Sequence, residues 1–280
     1  MPEINNIIVV SDLHCGCRMG LCPSGKIPLQ DGGYYTQSNL QYKVWAMWHD
    51  FWNEWVPRVT RGEDYILVLN GDTMDGEHHG NKTHISNNIV DQLNIAKMAL
   101  EPILDNPKCK ELYMVRGTEV HVGQSGENEE NLAMHLGAVP DEIGQFSRYE
   151  LWLKVGRLER NVHFLHHIGT TGSMAYKTTA LQKEMTEMYA ESAANELPIP
   201  DVVVRSHRHK STEVRNPTAH TYGICFTTPG WQLKTPFAWK IAGARLSTPE
   251  FGGSLIRMGD EELYTRHRIW TVERSKAVKI

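Results

Sequence analysis

Apolar residues recur along this chain in two rhythms, and the alternation between them sets the expected fold. Residues 7–10, 66–69 and 112–115 are short apolar runs of the kind buried on both faces of a parallel sheet. Longer stretches between them have helical spacing. Over residues 38–59, Leu40, Val44, Trp45, Met47, Trp48, Phe51, Trp52, Trp55 and Val56 return every few positions, with Pro57 near the end. This predicts an amphipathic helix whose tryptophans pack on the sheet rather than stack on a ligand. Helices are also expected over residues 86–104 and 127–136. Strand, loop and helix in this repeated order are the mark of right-handed crossovers in a mainly parallel sheet.

The second half changes style. Residues 149–155 and 161–165 alternate around a Gly156-Arg157 turn, which predicts an antiparallel pair. A helix over residues 173–196, a buried strand over 201–204, and strands over 222–228, 255–258 and 262–272 complete the expected elements. Gly, Cys and Pro punctuation predicts a long loop over residues 15–33, and loops of that length in compact domains are usually functional.

At 280 residues the chain is long enough to bury a substantial core. No repeat or linker divides it, so residues 1–280 are expected to form one domain. The formal net charge of −4 gives no electrostatic indication of a nucleic-acid or acidic-membrane partner. The first ten residues lack a basic flank or a cleavage site, and no run reaches transmembrane length, so a cytoplasmic protein without a membrane partner is expected. The five cysteines include Cys15, Cys17 and Cys22 crowded together. An odd number without a second matching pair argues against a disulfide framework. Reduced loop thiols are the preferred reading over a three-thiolate metal site.

Chemistry-bearing residues collect where strand-like runs end. These clusters are Asp12-x-His14, Gly71-Asp72-x-x-Asp75, Gly117-Thr118-Glu119-x-His121, His166-His167 and His207-x-His209. Residues two apart in an extended chain point to one side, so Asp-x-His or His-x-His can aim two ligands at one spot. One such pair is commonly a cap, but five are hard to explain that way. Imidazole with carboxylate, without thiolate, suits Mn, Fe, Co, Ni or Zn. Asp72, at the end of the apolar run 66–69, can bridge two such ions with its two oxygens. A pair of cations about 3.5–4 Å apart polarises a phosphoryl oxygen, acidifies a bridging water to hydroxide and neutralises charge in an in-line displacement. Phosphate ester hydrolysis is the natural reaction.

The set and order of these clusters resemble the calcineurin-like metallophosphoesterases, whose motifs run D-x-H, G-D-x-x-D, G-N-H-D/E, a lone His, and G-H-x-H. The likeness spans Asp12 to His209. It implies an α/β (α+β) fold: a β-sandwich of two mixed sheets flanked by helices, with a binuclear metal centre at the strand ends. By position, Asp12, His14, Asp72 and His209 would hold one metal, and Asp72, His166 and His207 the other, with His167 as the alternative to His166. Asp75 would orient a ligand His or cap its turn.

The third motif departs from the family. The family's Asn falls on Thr118 and its His on Glu119. Either Glu119 ligates the second metal, or Thr118 or a water fills the place. His121 is the candidate for the displaced acid or phosphate-binding His, against a plain loop cap. His78, Arg116 and Lys177 are candidate substrate contacts. Trp231, Gln232 and Lys234, after the Pro229-Gly230 turn, are candidates for a cleft wall.

The chain is thus read as a dinuclear metal-dependent phosphoesterase acting through a metal-bridging hydroxide, with Mn the favoured ion. Phosphodiester hydrolysis of a nucleotide or nucleic-acid substrate stands ahead of phosphomonoester hydrolysis. A nuclease acting on DNA or RNA and a catalytically silent scaffold of the same fold are the alternatives.

Overall fold

A computed structural model describes residues 3–77, 83–169, 174–218, 222–240, 247–272 and 278–279. Its strands are β1 (Asn6–Val10), β2 (Lys26–Pro28), β3 (Tyr34–Thr36), β4 (Tyr65–Asn70), β5 (Cys109–Val115), β6 (Ser147–Arg148), β7 (Leu151–Val155), β8 (Arg160–Phe164), β9 (Val202–Arg205), β10 (Thr212–Pro217), β11 (Tyr222–Thr227), β12 (Glu250–Met258) and β13 (Leu263–Thr271). Its α-helices are α1 (Asn39–Asp50), α2 (Val56–Val59), α3 (Ile89–Leu104), α4 (Glu119–Val122), α5 (Glu127–His135) and α6 (Thr179–Asn195).

The strands form two mixed sheets. The first has the order β13-β12-β1-β4-β5-β6 and the second β10-β11-β9-β8-β7, with β2 and β3 as a separate hairpin. In the first sheet β1, β4, β5 and β6 run parallel. In the second, β8, β9 and β11 do so. The five motif clusters follow the C-terminal ends of five of these parallel strands, β1, β4, β5, β8 and β9.

The two-residue period of each strand divides the core into layers. Ile7 and Val9 of β1, with Val68 and Val115, pack against Val162, Phe164, Val202, Val204, Ile224 and Phe226 of the other sheet. Ile8 and Val10 face the opposite way, against Val44, Trp48, Phe51, Trp52 and Trp55. On the far side of the second sheet, Val203 and Cys225 meet Leu181 and Met185 of α6. The architecture is a β-sandwich with helices on both outer faces. Each fully buried Val, Leu, Ile or Phe stabilises it by about 1.5–3 kcal/mol relative to exposure.

The helix expected over residues 38–59 begins at a capping box in which the Ser38 hydroxyl accepts from the Gln41 amide and the Gln41 side chain accepts from the Ser38 amide. It passes through a π-helical turn, Phe51–Trp55, before α2. The Trp48, Trp52 and Trp55 rings are buried in the helix-side core. The expected loop over residues 15–33 contains β2 and part of the β2–β3 hairpin, while α6 begins at Thr179 rather than 173. Cys15, Cys17 and Cys22 are buried free thiols, and burial pushes Cys17 and Cys22 up to about 12. Among the described residues, no helix is long and apolar enough to cross a membrane.

Candidate metal centre

The strand ends turn sharply. Asp12 (φ 54°), His14 (46°), Asp72 (54°), His207 (69°) and His209 (49°) all adopt left-handed backbone conformations. Asp and His tolerate this region better than most side chains, yet strain of about 1–3 kcal/mol each persists only where the surroundings fix it. Backbone bonds tie the turns together: Asp12 N donates to Gly71 O at 2.9 Å and His14 N to Asp72 O at 3.0 Å. Gly71 (φ 86°) leaves room for an imidazole, since a Cβ there would lie 2.3 Å from His166 Nδ1. A Cβ on Gly117 would lie 2.1 Å from Asp72 Oδ1.

A buried polar chain closes this end of the sandwich. Asn70 Nδ2 donates to Ser206 Oγ at 2.7 Å, the Ser206 and Thr228 hydroxyls lie 2.8 Å apart, and those of Thr228 and Ser11 lie 2.6 Å apart. Ser11 Oγ donates to Asp12 Oδ2 at 2.5 Å. With its three hydroxyls linked in series, such a chain ties the two sheets at one relative setting.

Three possible ligand groups lie here among the described residues: besides one of His14, Asp75 and His121, two face one another. Asp12, His14 and His209 make one, and Asp72, His166 and His207 the other. In the first, His14 Nε2 and His209 Nε2 are 3.3 Å apart, and His209 Nε2 is 3.2 Å from Asp12 Oδ1. In the second, His166 Nε2 is 3.1 Å and His207 Nδ1 3.9 Å from Asp72 Oδ2. Asp72 joins only the second group; the oxygen that faces both is Asp12 Oδ1, which lies 4.0 Å from His166 Nε2. His166 rather than its neighbour reaches Asp72, and His167 is exposed.

The donor set fits a pair of cations. His14 Nδ1 donates to Asp75 Oδ1 at 3.2 Å, and His166 Nδ1 donates to Asn70 O at 2.7 Å. Their Nε2 atoms therefore face the cluster, able to carry a proton or to offer a lone pair to a metal ion. Asp12 Oδ1 is buried, with His209 Nε2 at 3.2 Å and His166 Nε2 at 4.0 Å facing it. Lone pairs facing one another and a carboxylate call for a positive charge among them. The pKa shifts express the same demand. Burial favours the neutral Asp12 carboxyl, yet His209 and His166 bring it down to about 2. Burial likewise opposes ionised Asp72, but His166 and His207 hold it well below the carboxylate range. Burial disfavours the His166 imidazolium, and Asp72 outweighs it, pushing the pKa up to about 10.

Asp75 stands behind the first group. Besides His14, its carboxylate meets His84 Nε2 at 3.2 Å and accepts from Gln232 Nε2 at 3.4 Å. His121 Nδ1 donates to the Asp75 backbone oxygen at 2.6 Å, and its ring centroid is 4.6 Å from that of His14. Burial, then the neighbouring His14, lowers the His121 pKa to about 4. A neutral imidazole results at pH 7, which accepts a proton rather than giving one.

Several expected contacts fall elsewhere. Glu119 is exposed at the start of α4 and joins neither ligand group. Its neighbour takes the central place: Thr118 Oγ1 is 3.0 Å from Asp72 Oδ2, 3.1 Å from His207 Nδ1 and 3.5 Å from His166 Nε2. The Arg116 guanidinium is turned into the structure, bonding Ser147 Oγ, Gln145 Oε1 and Glu130 Oε2 and lying over the Tyr149 ring. It holds loops together rather than facing the cavity. Lys177 is exposed and is not part of the cavity lining. His78 lies outside the described residues. Gln232 and Lys234 line the cavity, whereas Trp231 is core.

Glu129 is a residue that the sequence reading did not single out. It is wholly buried and accepts from Thr73 N at 2.8 Å and Gly117 N at 2.7 Å, clamping the turns after β4 and β5 beneath Asp72. Its trace in the sequence is its spacing to Leu132 and Ala133, which share its buried helix face.

No protein-family model and no curated protein matches the sequence. Among solved structures, the chain is similar to Vacuolar Protein Sorting 29 from Cryptosporidium parvum, at 11% identity over 96% of this chain and 98% of that one, with a TM-score of 0.34. It is also similar to the sulfate thiohydrolase SoxB from Thermus thermophilus, at 12% identity over 97% of this chain and 57% of that one, with a TM-score of 0.41. A third is the 5'-nucleotidase from Candida albicans, at 9% identity over 95% of this chain and 51% of that one, with a TM-score of 0.42. At such scores the functional reading rests on the side chains of this chain.

Proposed function

We propose that this protein is a dinuclear metal-dependent phosphoesterase, with phosphodiesters of the nucleotide or nucleic-acid type as its favoured substrates. The observation that carries the reading is the meeting of two Asp-His-His groups from both sheets at one end of the sandwich, facing one another across Asp12 Oδ1. Asp12, His14 and His209 would hold one ion, and Asp72, His166 and His207 the other. Such ions, Mn foremost, would polarise a phosphoryl oxygen and acidify a water.

The chain's own groups have distinct parts. Asp75 keeps His14 in the tautomer whose Nε2 is free to ligate, and the Asn70 carbonyl does the same for His166. With Nδ1 donating to the Asp75 carbonyl oxygen, the neutral His121 ring is held at the cavity lining, suited to orienting a water. Thr118 N holds Asp72 Oδ1 at 2.7 Å, fixing that carboxylate whatever its second oxygen binds.

Hydrolysis of bis(p-nitrophenyl) phosphate and p-nitrophenyl phosphate with Mn tests this reading. Faster cleavage of the diester is expected, lowered on the order of a thousandfold in Asp72→Asn. Faster monoester cleavage would make the protein a phosphomonoesterase. No hydrolysis in either protein, with equal metal content, would favour the scaffold.

A further inference from the structure

Above the ligand groups the molecule encloses a cavity of about 480 Å³, whose floor includes His14, Asp72, Thr118, His207 and His209. Volumes of about 300–1,000 Å³ suit small ligands. The opposite wall is the segment after the Pro229-Gly230 turn. Its root is fixed against the site: Trp231 N donates to Asp12 O at 2.9 Å, and Leu233 N donates to Met19 O at 2.6 Å. The wall's position is therefore set by the same turn that carries the ligand Asp12.

Two features of this wall match one kind of occupant. Phe237 lines the cavity while its side chain is 62% exposed, an arrangement that leaves a large aromatic surface in water at the mouth of a polar site. Lys234 and Lys240 flank it, and Lys234 is held with Nζ 3.7 Å from the Trp239 ring centroid and 3.2 Å from Ser247 O. A held cation, with a second lysine in the lining, beside this floor draws in anions. An exposed ring between the two lysines rewards a ligand with a planar group a few bonds from its phosphate. The cavity's size and the chain's net charge of −4 fit a small ester rather than a charged polymer.

Building on the phosphoesterase reading, we propose that Lys234, Phe237 and Lys240 form a specificity wall for small nucleoside phosphate esters, with the base stacked on Phe237 and the phosphate on the floor. Stacking is tolerant of base identity, so little discrimination among bases follows. An alkyl or sugar phosphate gains nothing from the ring.

Calorimetric binding of AMP and of ribose 5-phosphate to the Mn-loaded protein tests the wall. AMP is expected to bind about tenfold more tightly, with most of that preference lost in Phe237→Ala and kept in Phe237→Tyr. Equal affinities in the parent protein, or a preference unchanged in Phe237→Ala, would overturn the proposal. So would tighter binding of a single-stranded oligonucleotide with steep salt dependence. Cleavage of bis(p-nitrophenyl) phosphate without an AMP preference defeats the wall and leaves the phosphoesterase; a Phe237-dependent AMP preference without any cleavage does the reverse.

Discussion

The two ligand groups are built from the same residue types and differ in how firmly each is held. In the first, Asp12 and His14 are buried, and a carboxylate backs the imidazole: Asp75 on His14, itself met by His84 and Gln232. In the second, Asp72 and His166 are equally buried, but His207 is 41% exposed, and the Thr118 hydroxyl sits within 3.5 Å of all three ligand atoms. A carboxylate behind a ligand His orients the ring and raises its basicity. A neutral hydroxyl among ligands adds little to either. On the proposed reading, the first group would be the tight site and the second the exchangeable one.

Asp75→Asn breaks the comparison most strongly. It is expected to weaken the tighter Mn site by about 10–100-fold and bring the two affinities together, read by equilibrium titration of the metal-free protein. An unchanged tight site would mean that Asp75 supports only the fold. Thr118→Asn sharpens the other half. An amide oxygen is the better neutral ligand, so the weaker Mn affinity should rise roughly tenfold in the same titration. A fall instead would show that the hydroxyl, through its bond to Asp72, was the better arrangement.

The smallest effect concerns the clamp beneath both turns. Burial, reinforced by Asp72, pushes the Glu129 carboxyl up to about 7 from an ordinary 4.5. The folded chain then keeps a proton that the unfolded chain releases between those pH values. Glu129 thus contributes a loss of stability as pH rises through that window, by about 1.4 kcal/mol per pH unit at most. Urea midpoints of metal-free wild type and Glu129→Gln at pH 5 and pH 7 isolate it, because the other titrating groups are common to both. The difference between the two proteins should favour wild type more at pH 5. An equal difference at both pH values would contradict the buried, protonated carboxyl.

What was readable in the sequence follows the same physics. Strands β1, β4 and β9 announce themselves because near-complete burial demands unbroken apolar runs, and the second half of β5, Leu112 to Val115, does so in part; their polar ends stand out against them. Edge strand β10, Thr-Glu-Val-Arg-Asn-Pro, and the short hairpin β2–β3 carry no such run, since one face or both meet water. At the site, Asp12, His14 and His209 stand out only because their pairs recur among five strand-end clusters whose order resembles a known family. The roles of Glu119 and Arg116 are not: α4 begins directly after Thr118 and leaves Glu119 outside, and Arg116 finds acceptors on residues about 9 to 31 positions away. Clamps such as Glu129 are invisible because a buried carboxylate is defined by backbone amides brought to it from elsewhere.

Electron paramagnetic resonance of the protein loaded with two equivalents of Mn tests the pairing of the two groups most directly. An exchange-coupled signal, replaced by that of isolated ions in Asp12→Asn, is expected from groups that share the surroundings of Asp12 Oδ1. Two uncoupled Mn signals in the wild-type protein, or binding of a single ion, would contradict it.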